Sequence, residues 1–503
     1  MFRYSVRIAS VVMSLMVLPA CAALAQDPPK KAAFPGDHLV VPPNVLTASP
    51  SQLPADFSWL TELKAHVPVL KHSTGKIPPM IVWEDFSSNP LTADQVHALL
   101  DRGFTQHLKL DEASIPAARA LQSAGSPVIL LQGAGGPWPS DQAGDPSVWA
   151  HKLDAGYKPA EPVRACISLT AGWAKEADQI RRTLRQFKEA GVTVNGVWMD
   201  WEGDPLYGKD RYDQAIHCER CRETLPPRVL ASRAAFEAYA RRRFVELIGA
   251  YLAAPVLEVF PACSVTNWNA MVSTPEKKLA DWDADNIDPS MPAFFTATNT
   301  AAYGDTSWWR LWKPQFVLDQ EHVDRFWTYQ LIRQVSDETL NRKRWMPEKS
   351  ALPWVGRWLP EHDLYHLPVM SRERYRELLR HLWLRGIAGM QVFNPRFKGY
   401  DEMAIFELQD AATVYAEMIT YHELIEKGEP INLAYPGVQD GTVLWSGLRT
   451  ADRAVIRAFA PDAKPQTIKI EVWPGYLVKL QADNKGANYL IERNGNSIKI
   501  SRQ

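Results

Sequence analysis

Asp200 and Glu202 close an otherwise apolar run in the stretch NGVWMDWEGDP, residues 195–205. Alternate residues of an extended chain share a face. Trp198, Asp200 and Glu202 therefore lie on one side, and Val197, Met199 and Trp201 on the other. The two carboxyl groups sit about 6–7 Å apart along such a strand. In a partly dry site they cannot ionise independently, so one stays protonated beside an ionised partner. Glycosidic bond cleavage needs that division of labour, with an acid to protonate the leaving oxygen and an anion to support a cationic transition state. An Asp-x-Glu can also merely cap a helix or pair with Arg or Lys. The apolar strand before it, the flanking tryptophans and the Gly203-Asp204-Pro205 turn favour the chemical role.

Other acids compete. Glu84 and Asp85 end the run MIVWEDF (80–86). They are adjacent and point to opposite faces, with Trp83 beside Asp85 and Val82 beside Glu84. At most one can share a site with Glu202, and the alternative is to cap the helix that follows. Asp319 and Glu321 form a second Asp-x-Glu, but amphipathic sequence follows at once, which predicts a solvated helix start. Among the 19 tryptophans, Trp83, Trp138, Trp173, Trp198, Trp268, Trp354 and Trp358 fall near strand ends or loops. There an indole could stack on a sugar ring, and core filling is the competing role for each. Tyr207, Tyr303, Arg357 and Asn394 are candidates for hydrogen bonds to substrate oxygens. His217 to Cys221 reads HCERC and supplies three ligands where a structural zinc needs four. A local disulfide between Cys218 and Cys221 is the expectation there, with Cys166 and Cys263 as buried thiols. No metal and no cofactor is expected.

These residues need a frame. From residue 80 short apolar runs alternate with amphipathic ones. Strands are predicted at 80–86, 105–110, 127–133, 165–173, 195–202, 256–268, 291–298, 352–358 and 387–395, with helices between most of them. Such alternation implies parallel β-α units, and the count, one strand in excess, points to a TIM-type (β/α)8 barrel over 80–428. Active sites of such barrels lie at the C-terminal ends of the strands, where Asp200 and Glu202 stand. A doubly wound open sheet is the other option, but no Gly-rich dinucleotide fingerprint follows a strand. From 429 to 503 the hydrophobic period changes to two and Asn494-Gly495 marks a hairpin, which predicts a small all-β sandwich.

The remaining signals concern placement and partners. Residues 1–25 have a basic start, an apolar run and Ala23-Leu24-Ala25, the pattern of a cleaved export signal. The expected location is therefore periplasmic or secreted, with Leu18-Pro19-Ala20-Cys21 as a site for lipid anchoring at Cys21. Residues 26–79 are Pro-rich and read as an extended tether or wrapping arm. No other segment is long and apolar enough to span a membrane. A net charge of −1 gives nucleic acid no electrostatic support. Gly-x-Ser-x-Gly, phosphate-loop and His-Glu-x-x-His motifs are absent from the sequence.

The stretch CISLTAGW, a helix, then GVTVNGVWMDWEGDP resembles the core of family-eighteen chitinases and related barrel glycosidases over roughly 40 residues. The resemblance implies that Glu202 is the general acid/base and that Asp200 orients the substrate's N-acetyl group, which would itself act as nucleophile. Asn195 and Trp198 stand where that family's first two aspartates would be. Hyaluronidase-type barrels are also similar, with an Asp-x-Glu at a strand end. The reading is a glycoside hydrolase with a carbohydrate substrate. The alternatives are a retaining enzyme with a protein nucleophile and a barrel that binds glycan without cutting it.

Overall fold

A computed structural model of the chain describes residues 59–82, 92–132, 147, 149–160, 163, 165–199, 211–267, 297–298, 301–303, 320–345, 350–357, 369–393, 401–434, 443–461 and 464–503. Eight strands form one parallel sheet: β1 (Met80–Val82), β2 (Phe104–Lys109), β3 (Ile129–Gln132), β4 (Gly196–Met199), β5 (Ser264–Asn267), β7 (Ala301–Tyr303), β9 (Trp354–Gly356) and β10 (Gln391–Val392). β6 (Ala297–Thr298) pairs with β8 (Ser350–Ala351) in a separate parallel pair. The order in the large sheet is β5-β4-β3-β2-β1-β10-β9-β7. Sequence neighbours are therefore spatial neighbours all the way round, with β10 beside β1. This is the strand order of a (β/α)8 barrel, with its seam between β5 and β7 among the described residues.

The strands alternate as a barrel requires. Met80, Val82, Phe104, Ala302, Val355 and Val392 point outward into one helix-side core, and Leu108, Leu130, Val197 and Val265 into another. Ile81, Ile129, Trp198, Tyr303 and Trp354 point inward and fill the barrel.

Helices pack outside. α1 is Trp59–His66, α2 Ala93–Leu100, α3 Ile115–Ser123 and α4 Ala171–Glu189. After β4 come α5 (Arg211–Ile216), α6 (Glu219–Thr224), α7 (Pro227–Leu230), α8 (Arg233–Ile248) and α9 (Ala254–Val259). α10 (Gln320–Trp345), α11 (Arg372–Trp383), α12 (Asp401–Met418) and α13 (His422–Lys427) complete the set. Their sequence signals are local. α2 opens on a Thr92/Gln95 capping box. α4 buries Trp173, Ala177, Ile180, Leu184 and Phe187, spaced by fours and threes on one face, and Gly191 follows it at φ 76°.

Three expectations need correction. The predicted strand at 165–173 does not form. Ala165 makes only an isolated bridge to Ala150, and α4 begins at Ala171, which removes the excess strand. The predicted strand 256–268 is half helix: α9 runs to Val259, and β5 starts only at Ser264. Apolar periodicity alone does not separate a short buried helix from a strand. Residues 59–79, counted with the Pro-rich arm, include α1, whose Trp59 and Leu63 are buried in the barrel's outer core with Val67.

The C-terminal residues form a five-stranded antiparallel sheet of β11 (Glu429–Pro430), β12 (Leu444–Arg449), β13 (Arg453–Phe459), β16 (Ala487–Asn494) and β17 (Ser497–Arg502). The hairpin of β14 (Gln466–Trp473) and β15 (Tyr476–Ala482) packs on it over a shared core that includes Ile456, Val472, Leu480 and Ile491. A buried polar chain joins this unit to the barrel. Arg385 donates to Ser446 Oγ (2.8 Å), and His381 Nδ1 lies 2.8 Å from the same oxygen. His381 Nε2 lies 3.1 Å from Glu377, which also takes two hydrogen bonds from Arg457 on β13. Ser446, His381 and Glu377 follow one another as in a hydrolytic triad. All three are buried and Ser446 Oγ is held by Arg385, so the chain is a docking element. No helix among the described residues is long and apolar enough to cross a membrane.

Candidate active site

The mouth at the C-terminal ends of the strands is built upward from the barrel floor. β4 pairs with β3 and β5 so that Trp198 stands beside Leu131 and Thr266 on the inward side, while Val197 faces the helices. Gly196 makes this rotamer possible. A Cβ there would lie 3.1 Å from the Trp198 ring and 3.5 Å from Ile129. Among the described residues the Trp198 indole N–H has no hydrogen-bond partner. A buried donor left so costs about 1–3 kcal/mol.

Sequence reasoning passed over His107. It lies on β2, in register with Ile129, and faces the barrel interior between Trp354 (ring centroids 5.2 Å apart) and Trp198 (6.4 Å). Burial pushes its imidazole down to about 3, so it is neutral near pH 7. The signal that could have found it is strand phase: His107 is two residues after Thr105, the inward partner of Ile81.

Asp200, Glu202, Tyr207, Trp83, Glu84, Asp85, Trp268 and Asn394 lie outside the described residues, as do Trp138, Trp358 and Asp319. Of the described candidates, the tryptophans take the competing, core-filling role. Trp173, Trp198 and Trp354 are 5%, 3% and 2% exposed, which leaves no indole face for a sugar. Trp173 packs between α4 and the sheet, and the other two fill the barrel. Tyr303 is buried as well, stacked on Phe393 at 4.5 Å. Arg357 turns toward Met370 and Glu407. It is buried, its Nη1 donates to Met370 O (2.9 Å) and its backbone N–H to Glu407 (2.6 Å). Burial pushes Glu407 up to about 7. Glu321 is an exposed first-turn residue of α10, 3.0 Å from Arg325, as a solvated helix start requires.

The expected Cys218–Cys221 disulfide is absent. Both are free buried thiols, as are Cys166 and Cys263. His217 is not grouped with them: it stacks on Tyr157 (4.0 Å) and lies 3.5 Å from Asp154. Instead Cys166, Cys218 and Cys221 gather around His151.

No known family profile matches the chain, and no curated protein matches it. Solved structures do. An α-amylase from Lactobacillus plantarum aligns over 83% of this chain and 99% of its own at 11% identity, with a TM-score of 0.44. An α-amylase from Geobacillus thermoleovorans, complexed with acarbose, aligns over 85% and 96% at 10% identity, TM-score 0.42. A β-galactosidase from the haloarchaeon Halorubrum lacusprofundi aligns over 68% and 58% at 14% identity, TM-score 0.42. Likenesses this slight leave the chemistry to be argued from the residues, and they lend nothing to the family-eighteen resemblance.

Proposed function

We propose that the chain is a barrel glycoside hydrolase in which Glu202 protonates the leaving oxygen and Asp200 supplies the neighbouring anion. The observation that carries this reading is the phase of β4: Trp198 faces the axis and Val197 the helices. The same alternation, continued through the strand end, would give Asp200 and Glu202 the axis side at the mouth. On β1, Ile81 is inward and Val82 outward, so the same argument favours Asp85 over Glu84 as a second carboxylate. Two finer readings follow. If the family-eighteen resemblance holds, an N-acetylated substrate provides its own nucleophile. If Asp85 reaches the bond, a protein carboxylate does so instead. We also read residues 1–25 as an export signal, which predicts a mature chain beginning at Gln26 or at a lipidated Cys21.

The test is reducing-sugar release from a glycan panel divided between N-acetylated and non-acetylated polymers. Cleavage confined to the acetylated half supports substrate assistance. Cleavage of the other half, lost in Asp85→Asn, supports the protein nucleophile. Binding without cleavage across the whole panel refutes the enzyme reading.

A further inference from the structure

HCERC brings two thiols together, and the fold adds two further ligands that local spacing does not show. Cys218 precedes the first residue of α6 and Cys221 lies in its first turn. His151 and Cys166 come from the segment between β3 and α4, which runs alongside. Cys166 Sγ lies 4.0 Å from Cys218 Sγ and 3.6 Å from Cys221 Sγ. Cys221 Sγ lies 3.6 Å from His151 Nδ1. All four ligand atoms fall within 4.8 Å of one another, and all four residues are buried.

A disulfide needs its sulfurs about 2.05 Å apart. A tetrahedral zinc, with Zn–S about 2.3 Å and Zn–N about 2.0–2.1 Å, sets S···S edges near 3.8 Å and S···N edges near 3.6 Å. The two S···S separations of 4.0 and 3.6 Å and the S···N separation of 3.6 Å lie close to these edges and far from a disulfide. Hydrogen-bond donors face the sulfurs. Ser168 Oγ–H points at Cys221 Sγ (3.7 Å), and backbone hydrogen bonds from Ser168 and Cys221 reach the Cys166 and Cys218 sulfurs. The nearby arginines are committed elsewhere: Arg220 to Ala150 O and Ser147 O, Arg222 to Asp154. If all three sulfurs are ionised there, a metal ion is the cation that would balance them.

We propose that His151, Cys166, Cys218 and Cys221 bind one zinc ion as a closed structural site. With four protein ligands it has no open position for substrate. Its place gives it a task. It ties the segment that follows β3 to the one that follows β4, two connections that leave the same end of the barrel. Around it the two segments also meet through the Leu153–Cys218 bridge, backbone hydrogen bonds from Asp154 to His217 and from Glu219 to Lys152, the Lys152–Glu219 ion pair, the arginine contacts and an apolar cluster with Leu225, Val229 and Phe236. The proposal is independent of the glycosidase reading.

The test is metal analysis of the full-length chain, purified without added metal or chelator. One zinc per chain is expected, with tetrahedral thiolate–cobalt absorption after cobalt exchange. A strong chelator should release the zinc, free three thiols for titration and lower the thermal midpoint. Cys166→Ser and Cys221→Ser should lose the metal. His217→Ala and Cys263→Ser should keep it, as should His151→Cys, which substitutes a four-cysteine set. If the serine variants fail to fold, the wild-type zinc content and thiol count before and after chelation decide alone. Protein that is folded but free of metal as purified, a disulfide joining any two of the three cysteines, or full zinc content in Cys166→Ser would each overturn the proposal.

Discussion

Replacing Arg457 by Met tests the account of how the C-terminal unit is held. Arg457 donates Nε to Glu377 Oε1 (2.8 Å) and Nη2 to Oε2 (2.5 Å), with both side chains about 5% exposed (6% and 5%). Burial pushes the Glu377 carboxyl up, but hydrogen bonds from His381 and Arg457 outweigh it and bring the group down to about 2 from 4.5. A mere return to the ordinary value forfeits about 3 kcal/mol at pH 7, at about 1.4 kcal/mol per pH unit of displacement. Arg457 also donates to Lys485 O (3.0 Å), worth roughly 1 kcal/mol more. The expected cost of Arg457→Met is therefore about 3–5 kcal/mol, the range for breaking one side of a buried pair. Because the folded carboxyl is displaced downward, its stabilisation is complete above pH 4.5 and is lost as pH falls through about 2. The gap between variant and wild type in urea titrations should therefore narrow from pH 5 to pH 2. The double variant Glu377→Leu/Arg457→Met should recover most of the loss, since no charge is left buried alone. An unchanged urea midpoint in Arg457→Met at pH 7 would refute the reasoning.

Three further outcomes follow from the barrel. His107 is held neutral at about 3, so the stability it contributes is complete above pH 6.5 and is lost as pH falls; by pH 4.5 the loss is about 3 kcal/mol. Urea titrations of His107→Gln should lack that acid-side slope, and parallel curves for the two proteins would contradict it. Glu407, pushed up to about 7, has the opposite sign: its contribution is complete below pH 4.5 and declines as pH rises to 7, by about 3 kcal/mol. Glu407→Gln keeps an acceptor for the Arg357 N–H and should flatten that alkaline-side decline; a decline that persists would remove Glu407 as its cause. Gly196→Ala places a methyl 3.1 Å from Trp198 and should cost about 1–3 kcal/mol, with a shifted tryptophan emission. Wild-type stability and emission would show that Trp198 does not fold back over Gly196.

Strand phase was the legible part of this fold. Alternation in residues 195–199 put Trp198 and Val197 on opposite faces, and the hydrophobic clusters divide in that way. Helices were legible where caps and apolar spacing agreed, as in α2 and α4. The 165–173 run misled because its burial comes from the cysteine cluster and not from a sheet. The tryptophans misled for a related reason: composition marks a large aromatic residue but not which way its ring points. Trp354 ends up inside the barrel only because β9 pairs with β10 in a register that aligns it with Gln391. His151 and Cys166 were invisible as partners of Cys218 and Cys221 because 70 and 52 residues separate the contacting members, and only the parallel course of two loops joins them.

In the proposed hydrolysis Glu202 is the general acid. On whichever glycan the wild type cleaves, the rate of Glu202→Gln should fall by about 10²–10⁴-fold, the usual contribution of a general acid, while the variant still binds that glycan. Cleavage by Glu202→Gln at the wild-type rate would contradict the account.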